Sequence, residues 1–321
     1  MIDTHAHLDF EDFNKDREEV ISRFFRGGGK AIINVGVDLE RSRKSIEITE
    51  KHEGVFAAVG FHPDFFSQGS TFPPASSADS SRSNIFLELK KIAKHKKVVA
   101  IGECGLDYFH TTHNIQHITQ KELDKIKENQ RTGFIAQINL AKELNLPVIV
   151  HCREVHPVAS GKTPERFGAW EDLYEIISEF SQSSAFVSSK VRPSPLALRE
   201  ERGSSKPSFM KFVLHCYSGE KKDTEKFLKL PDVYFSFSGN ITYPKPAERA
   251  EQLEEAVRMV PLDRIMLDSD APFLAPQCRR GKRNEPIFVK YIAKKIAEIK
   301  RVREKEVERK TDENAESFFG I

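Results

Sequence analysis

Residues 147–152 read PVIVHC, and this apolar, β-branched run decides the fold. A strand with one wet face alternates apolar and polar residues, whereas a near-continuous apolar run is typical of a parallel strand covered on both faces by helices. The run follows a helix-period segment at 124–145 and precedes another at 170–180. The local order is therefore helix, buried strand, helix.

The same alternation extends along the whole chain. Strand-like runs also lie at 1–8, 31–37, 55–61, 98–103, 209–216, 233–238 and 264–270. Helix-period segments follow the strands at 16–28, 39–54, 85–97, 124–145, 170–180, 221–230, 246–260 and 285–310. Eight strands, each followed by a helix, predict an α/β fold of the (β/α)8 TIM-barrel type, forming a single domain over residues 1–321. An open, doubly wound sheet is the alternative, but no strand is followed by a glycine-rich phosphate-binding pattern.

Two Ser/Pro-rich stretches interrupt this rhythm. They cover residues 67–84 and 181–208, and their composition predicts loop insertions into the barrel. Basic residues in the second stretch could contact a polyanion, although the composition favours a solvated linker.

Composition places limits on the partners and the compartment. Lys+Arg number 50 against Asp+Glu 48, so bulk charge does not select a partner and an anionic substrate would need a local basic patch. The four cysteines form no CxxC pair, which suits a reducing compartment. No apolar stretch approaches the ~20 residues that cross a bilayer, and the first residues are too polar for a signal peptide. We therefore expect a cytoplasmic protein with no membrane contact and no obligate protein partner.

The strand ends carry a concentration of imidazoles and carboxylates. In a TIM barrel, functional groups come from the carboxyl-terminal ends of different strands and converge on one face. Clustered carboxylates need a cation there, and buried imidazoles need a partner. A metal centre meets both needs. The residues at the strand ends are His5, His7, Glu103, His151, His215, Asp268 and Asp270.

The number of these residues suggests two metal ions. Histidine and carboxylate ligands suit Zn²⁺ or another divalent ion such as Mn²⁺ or Mg²⁺, and one bridging carboxylate would let six residues serve two ions. Two ions about 3.5–4 Å apart can clamp the attacking and leaving oxygens of a displacement. The nucleophile would be a water between them.

A series of motifs resembles the TatD family of metal-dependent hydrolases. In order along the chain, the series is DTHAHLDF, GFHPD, AIGECGLDYF, LPVIVHCRE, VLHCYSG, FSFSGNIT, PLDRIMLDSDAPFLAP, GKRNEP and TDENAESFFG. The resemblance implies a barrel with two divalent metals that hydrolyses DNA phosphodiesters as a 3′ to 5′ exonuclease. It also implies a DNA substrate that is single-stranded or is bound at its ends.

The resemblance assigns the metal ligands by position. They are His5, His7, Glu103, His151, His215 and Asp270. Glu103 is the expected bridging ligand, and Asp270 is placed to take a proton from the nucleophilic water as well. The family's strand 8 glutamate is Asp268 here, which keeps the charge but shortens the reach by one methylene.

Further residues are candidates for substrate contact or for holding the ligands. Arg153 lies two residues after His151 and should share its face, and Arg283 belongs to the RNEP motif; we predict both as phosphate contacts. The alternative for Arg283 is to position the last helix. His62 either reaches the substrate or holds the turn at Pro63.

Asp9, Asp107 and Asp268 are candidates for orienting ligating histidines. Aromatic residues near the mouth could stack bases, although loop packing is the commoner role of such residues. They are Phe65, Tyr108, Phe109 and Tyr217.

Two other functions remain open from the residues alone. The same centre could hydrolyse an amide, a lactone or an aminoacyl ester, because a barrel and a two-metal water do not specify the electrophile. A nucleic-acid-binding protein without catalysis is the other possibility, and the complete ligand set counts against it.

Overall fold

The computed structural model describes residues 1–67, 80–109, 119–154, 168–187 and 210–321, without the side chains of 80–84 and 182–187. Eight parallel strands pair in chain order. The (β/α)8 TIM-barrel prediction is confirmed. The strands are β1 (Ile2–Ala6), β2 (Ala31–Val35), β3 (Val55–Val59), β4 (Val98–Asp107), β5 (Val148–Arg153), β6 (Phe212–Leu214), β7 (Val233–Phe237) and β8 (Ile265–Leu267).

Helices follow the strands and cover the outside of the barrel. They are α1 (Arg17–Arg26), α2 (Leu39–Lys51), α3 (Asp64–Ser67), α4 (Ser80–Ile92), α5 (Gln120–Leu144), α6 (Ala169–Val187), α7 (Lys221–Phe227), α8 (Ala247–Met259), α9 (Val289–Lys300) and α10 (Glu304–Phe319). The single helix predicted over 285–310 is wrong in one respect: the chain turns at Arg301, whose φ is 57°, and starts a new helix. An unbroken helix would run straight past the barrel, and the turn lets α10 pack across its end.

The last helix covers the amino-terminal end of the barrel. Phe318 and Phe319 of α10 pack in one cluster with inner-strand residues such as Ile33 and Val213. A larger cluster fills the space between the strands and the surrounding helices. One end of the barrel is therefore sealed by apolar packing, which leaves the carboxyl-terminal end for polar groups.

The barrel closes between β1 and the segment after β8. Ala6 forms a parallel bridge with Ala271, the His7 N–H donates to the Ala271 carbonyl at 2.8 Å, and the Asp270 N–H donates to the His5 carbonyl at 2.9 Å. The closing seam thus joins the first histidine pair to the last acidic pair.

Two glycines of β4 lie directly against the backbone of β5. Gly102 and Gly105 both have φ of +147°, and a Cβ on Gly102 would lie 2.6 Å from the Ile149 carbonyl oxygen. A Cβ on Gly105 would overlap the carbonyl oxygen of His151. Only glycine permits this approach and this backbone conformation. The close contact sets Glu103, between the two glycines, beside His151.

The two insertions are described only at their edges. Helix α4 begins at Ser80 and helix α6 runs to Val187, so residues 80–84 and 181–187 of the two predicted insertions are helical. A nucleated helix propagates readily, so a polar composition alone does not end it. The rest of both stretches lies outside the described residues. Among the helices that are described, none is long and apolar enough to cross a membrane.

Candidate metal centre

Glu103 lies at the middle of a buried cluster, and its two carboxylate oxygens face different histidines. Oε1 is 2.6 Å from His151 Nδ1 and 2.8 Å from His215 Nε2. Oε2 is 3.3 Å from His5 Nε2 and 3.7 Å from His7 Nε2. One carboxylate therefore connects two pairs of imidazoles, which is the arrangement that a bridging ligand requires.

The His5 and His7 side of the cluster also includes Asp270. His7 Nε2 is 3.5 Å from Asp270 Oδ1 and 3.2 Å from His5 Nε2. Asp270 has a left-handed backbone with φ of 53°, which aspartate tolerates better than most residues and which its N–H bond to the His5 carbonyl supports. Its side chain keeps some solvent exposure at 15%.

These spacings fit ligands that share an ion. Zinc–nitrogen bonds are about 2.0–2.1 Å long, so two ligands of one tetrahedral ion lie roughly 3.4 Å apart. The Nε2 atoms of His5 and His7 lie 3.2 Å apart. Nδ1 of His151 lies 3.3 Å from Nε2 of His215. The described part of the chain contains three groups of residues whose ligand atoms lie within 4.8 Å of one another inside each group: His5–Glu103–His215, His5–His7–Asp270 and His62–Asp107–His151.

The charges of the cluster show what a cation would replace. Burial opposes charge on His7 and His151, but hydrogen bonds to Asp270 and Asp107 and the charge of Glu103 outweigh it and raise the pKa of both histidines to about 9. Burial also opposes charge on Glu103, yet the neighbouring histidines hold its pKa well below the usual range. Without a metal, protons on the imidazoles balance the buried carboxylates. Metal binding would displace those protons.

Asp107 and Asp268 each contact the far nitrogen of a histidine that faces Glu103. Asp107 Oδ2 is 3.1 Å from His151 Nε2. Asp268 Oδ2 is 3.4 Å from His215 Nδ1 and accepts hydrogen bonds from Ser236 Oγ and the Cys216 N–H. The shorter aspartate at position 268 therefore still reaches its histidine.

Asp9 does not hold His7 in this way. The far nitrogen of His7, Nδ1, is 2.9 Å from the carbonyl oxygen of Val35, so this carbonyl orients the ring. Asp9 instead accepts a hydrogen bond from Asn34 Nδ2 at 3.1 Å and pairs with Arg41 at 3.4 Å. The carboxylate of Asp9 therefore holds the chain after β1 in place. It acts on His7 through its negative charge, which raises the pKa of that histidine.

The two predicted substrate arginines have different surroundings. Arg153 lines the cavity over the cluster, with its guanidinium 4.0 Å from the centre of the Phe109 ring. The guanidinium of Arg283 instead pairs with Asp16 at 2.6 Å and Glu285 at 3.4 Å and lies 4.4 Å from the centre of the Phe13 ring. The structure thus ties Arg283 to α1 and does not place it on the described cavity wall.

His62 holds the turn at Pro63 and also lines the cavity. Its Nδ1 accepts a hydrogen bond from the Asp64 N–H at 3.2 Å, which holds the turn at Pro63. Its Nε2 points to the cluster, 3.8 Å from Glu103 Oε1, and the ring lines the cavity.

The described walls enclose a cavity of about 1000 Å³, and they include residues that the sequence reasoning missed. Arg249, in the first turn of α8, and Phe273, three residues after Asp270, both line it. Both residues could have been predicted from the sequence, because they follow β7 and β8 and the loops after the strands form the functional face of a TIM barrel. Among the predicted stacking aromatics, Tyr108 and Tyr217 are fully buried, whereas Phe65 and Phe109 line the cavity.

Comparisons with known proteins identify relatives of this chain. A family model described as TatD related DNase matches residues 2–320. The chain is 33% identical over 322 residues to YabD of Bacillus subtilis, named an uncharacterized metal-dependent hydrolase, and the match covers 100% of this chain and 99% of YabD. It is 28% identical over 327 residues to a Pantoea ananatis protein named 3′-5′ ssDNA/RNA exonuclease TatD, covering 100% of each.

A solved structure shows the same barrel. The crystal structure of YjjV, a TatD homologue from Escherichia coli, matches with a TM-score of 0.73 at 23% sequence identity. The match covers 100% of this chain and 98% of YjjV.

Proposed function

The chain belongs to the TatD family of metal-dependent hydrolases, and on that premise we propose that it hydrolyses phosphodiester bonds of single-stranded DNA from the 3′ end. The observation that carries the proposal is the position of Glu103, whose two oxygens face separate pairs of imidazoles. The name of the Pantoea ananatis relative supports the polarity and the single-stranded substrate.

We assign two divalent ions, Zn²⁺ or Mg²⁺/Mn²⁺, to the two sides of Glu103. His5, His7 and Asp270 would hold one ion with Oε2, and His151 and His215 would hold the other with Oε1. When bound, such a pair supplies a water of lowered pKa and positive charge beside the phosphate oxygens.

The chain's own groups complete the reaction. Asp270 lies on the cavity wall with partial solvent exposure, so its carboxylate can hold the proton that the attacking water gives up. Asp107 and Asp268 fix the rings of His151 and His215 through their far nitrogens.

Two arginines favour a phosphate over a neutral electrophile. Arg153 and Arg249 both line the cavity, and guanidinium groups pair well with phosphate oxygens. An amide or a lactone would give these cations no charge to bind. Within the proposal they hold the phosphates on either side of the cleaved bond.

The test measures metal content and nuclease activity on one preparation. Elemental analysis accompanies digestion of single- and double-stranded DNA labelled at either end, with a His5→Ala/His7→Ala variant as control. We expect about two ions per chain, loss of label from the 3′ end first, and no digestion by the control. An RNA oligonucleotide in the same assay measures preference between the two nucleic acids.

One result of this test would contradict the proposal. Bound metal without cleavage of either nucleic acid, under Mg²⁺, Mn²⁺ or Zn²⁺, would reject the nuclease proposal. The centre would then act on another hydrolysable bond.

A further inference from the structure

Phe273 is an exposed aromatic residue at the edge of the candidate metal centre. Among the described residues, two large apolar side chains are exposed: Leu87 at 59% and Phe273 at 50%. Leu87 belongs to α4 on the outside of the barrel, whereas Phe273 lines the cavity, with its ring centre 6.3 Å from that of His7. Burying an aromatic ring is favourable, so an exposed ring beside a reactive centre indicates a surface for a ligand.

The backbone holds this ring in a fixed place. The Phe273 N–H donates to the Asp270 carbonyl at 2.8 Å, and its own carbonyl accepts from Asn284 Nδ2 at 2.6 Å. Asn284 is fully buried, and its N–H bonds to the Pro272 carbonyl. The ring also makes an edge-to-face contact with Phe10, at 5.8 Å between centres. The backbone of Phe273 is therefore held on both sides, and its ring rests against Phe10 beside the cavity.

A cation lies on the same cavity wall. Arg249 donates one hydrogen bond to Gln252, and among the described residues no carboxylate lies within 4 Å of its guanidinium. An aromatic face and a guanidinium group around one cavity complement a nucleotide, which has a flat apolar base and an anionic phosphate. They do not complement a peptide or a neutral ester equally well.

We propose that Phe273 is a stacking platform for an unpaired base of the nucleotide next to the cleaved bond, with Arg249 holding an adjacent phosphate. This inference rests on the proposed function and explains how the site would select single strands. A base inside a duplex is paired and stacked on its neighbours, so it cannot lie on Phe273 until the end of the strand separates. Because every base has a π face, the platform selects unpaired ends with little sequence preference.

The first arm of the test compares four proteins on two substrates. The proteins are the wild type, Phe273→Ala, Phe273→Trp and the matched control Leu87→Ala. The substrates are single-stranded oligonucleotides that end in a normal 3′ nucleotide or in an abasic one. For the normal substrate we expect Phe273→Ala to raise KM roughly tenfold, as for the loss of one base–aromatic stack, Phe273→Trp to raise it less because an aromatic face remains, and Leu87→Ala to keep the wild-type KM.

The abasic substrate separates stacking from a structural role. Wild type should lose about the same tenfold when the terminal base is removed, whereas Phe273→Ala should show no further loss. An equal response of both proteins to base removal would overturn the platform. A fall in kcat on both substrates would mean that the substitution disturbs the metal centre instead.

The second arm measures binding without turnover. Fluorescence anisotropy gives the affinity of each protein for the same oligonucleotides, made with a phosphorothioate terminal linkage that resists hydrolysis. The wild type could bind the oligonucleotides in a base-dependent way and cleave no nucleic acid, while Phe273→Ala loses this binding. That result would reject the proposed function and keep the platform. Cleavage with no effect of Phe273 on KM or affinity would keep the function and reject the platform. Absence of binding by wild type would reject the platform as well.

Discussion

The two ends of the barrel both bury carboxylates, but they neutralise them with different cations. At the amino-terminal end, Asp312 of α10 is 4% exposed and lies 2.8 Å from the ammonium group of Lys30. At the carboxyl-terminal end, Glu103 is 3% exposed and is surrounded by imidazoles. An ammonium group keeps its proton at neutral pH, whereas an imidazole can give its proton up and offer a lone pair to a metal.

The difference separates a structural charge pair from a site for chemistry. Oδ2 of Asp312 pairs with two ammonium groups, those of Lys30 at 2.8 Å and of Met1 at 3.3 Å, and neither group is a metal ligand while it keeps its proton. The Glu103 cluster can exchange the protons of its imidazoles for divalent ions. The identity of the neighbouring cation, more than burial of the carboxylate, indicates which end of the barrel is functional.

The largest expected effect comes from removing the shared carboxylate. Glu103→Ala should lose both ions, because each pair of imidazoles loses its common oxygen, and activity should fall at least about a thousandfold. Elemental analysis and a nuclease assay measure the two effects, and circular dichroism checks the fold. A variant that keeps two tightly bound ions would remove the bridging role. Asp312→Asn is the matched control at the other end.

Asp270→Asn tests the proton acceptor at nearly constant shape. We expect kcat to fall by about 10²- to 10⁴-fold, with KM changed little, because the amide cannot hold the proton from water. Rates are compared at saturating metal so that weaker binding does not contribute. Wild-type turnover under those conditions would show that Asp270 is not the proton acceptor.

Asp107→Asn tests whether the outer contact of His151 matters. The substitution removes the charge that faces His151 Nε2, and we expect metal affinity to fall about 10- to 100-fold. Competition with a chromophoric chelator measures the affinity. Asp9→Asn should leave it near the wild-type value, since the Val35 carbonyl orients His7. Equal losses of metal affinity in Asp107→Asn and Asp9→Asn would indicate that any nearby negative charge supports metal binding.

Arg249→Ala and Arg283→Ala compare a cation on the cavity wall with one tied to α1. The first should raise KM for DNA by about tenfold or more, the effect of one charged hydrogen bond. The second should leave KM unchanged and lower the free energy of unfolding by about 1 kcal/mol, since its pair with Asp16 is partly exposed. Steady-state kinetics and urea denaturation provide the two measurements. The reverse pattern would restore Arg283 as the substrate contact.

The smallest effect on activity is expected at the amino-terminal end. Asp312→Asn weakens the pair with Lys30 and should lower the free energy of unfolding by about 1 to 3 kcal/mol, with kcat and metal content unchanged. Thermal melts with and without a chelator sharpen the comparison. The chelator should lower the Tm of this variant as much as that of wild type, because ions stabilise only the other end. Loss of metal in Asp312→Asn would show that the two ends are coupled.

The sequence by itself determined the barrel and the set of candidate ligands. Strand periodicity and near-continuous apolar runs are local properties of the chain, so PVIVHC and its counterparts could be read without coordinates. His5 and His7 are two residues apart in a predicted strand, and this spacing places both side chains on one face. The rule that TIM-barrel sites lie at strand ends then indicated Glu103, His151 and the other candidates.

Only the tertiary structure decided how these groups meet. The division of the Glu103 oxygens between two imidazole pairs depends on the close approach of β4 to β5 at Gly102 and Gly105. The turn at Arg301 follows from the geometry of covering the barrel end, since no glycine or proline marks it.

The residues that line the cavity also depend on the tertiary structure. Arg283 looked like a substrate contact beside its motif, but folding brings Asp16, which is distant in sequence, to within 2.6 Å of it. Arg249 and Phe273 reach the cavity because β7 and β8 place their loops beside the closing seam at Ala6 and Ala271. Local patterns specify which face of a strand or helix a side chain occupies. Which distant side chain it meets depends on the register with which the barrel closes.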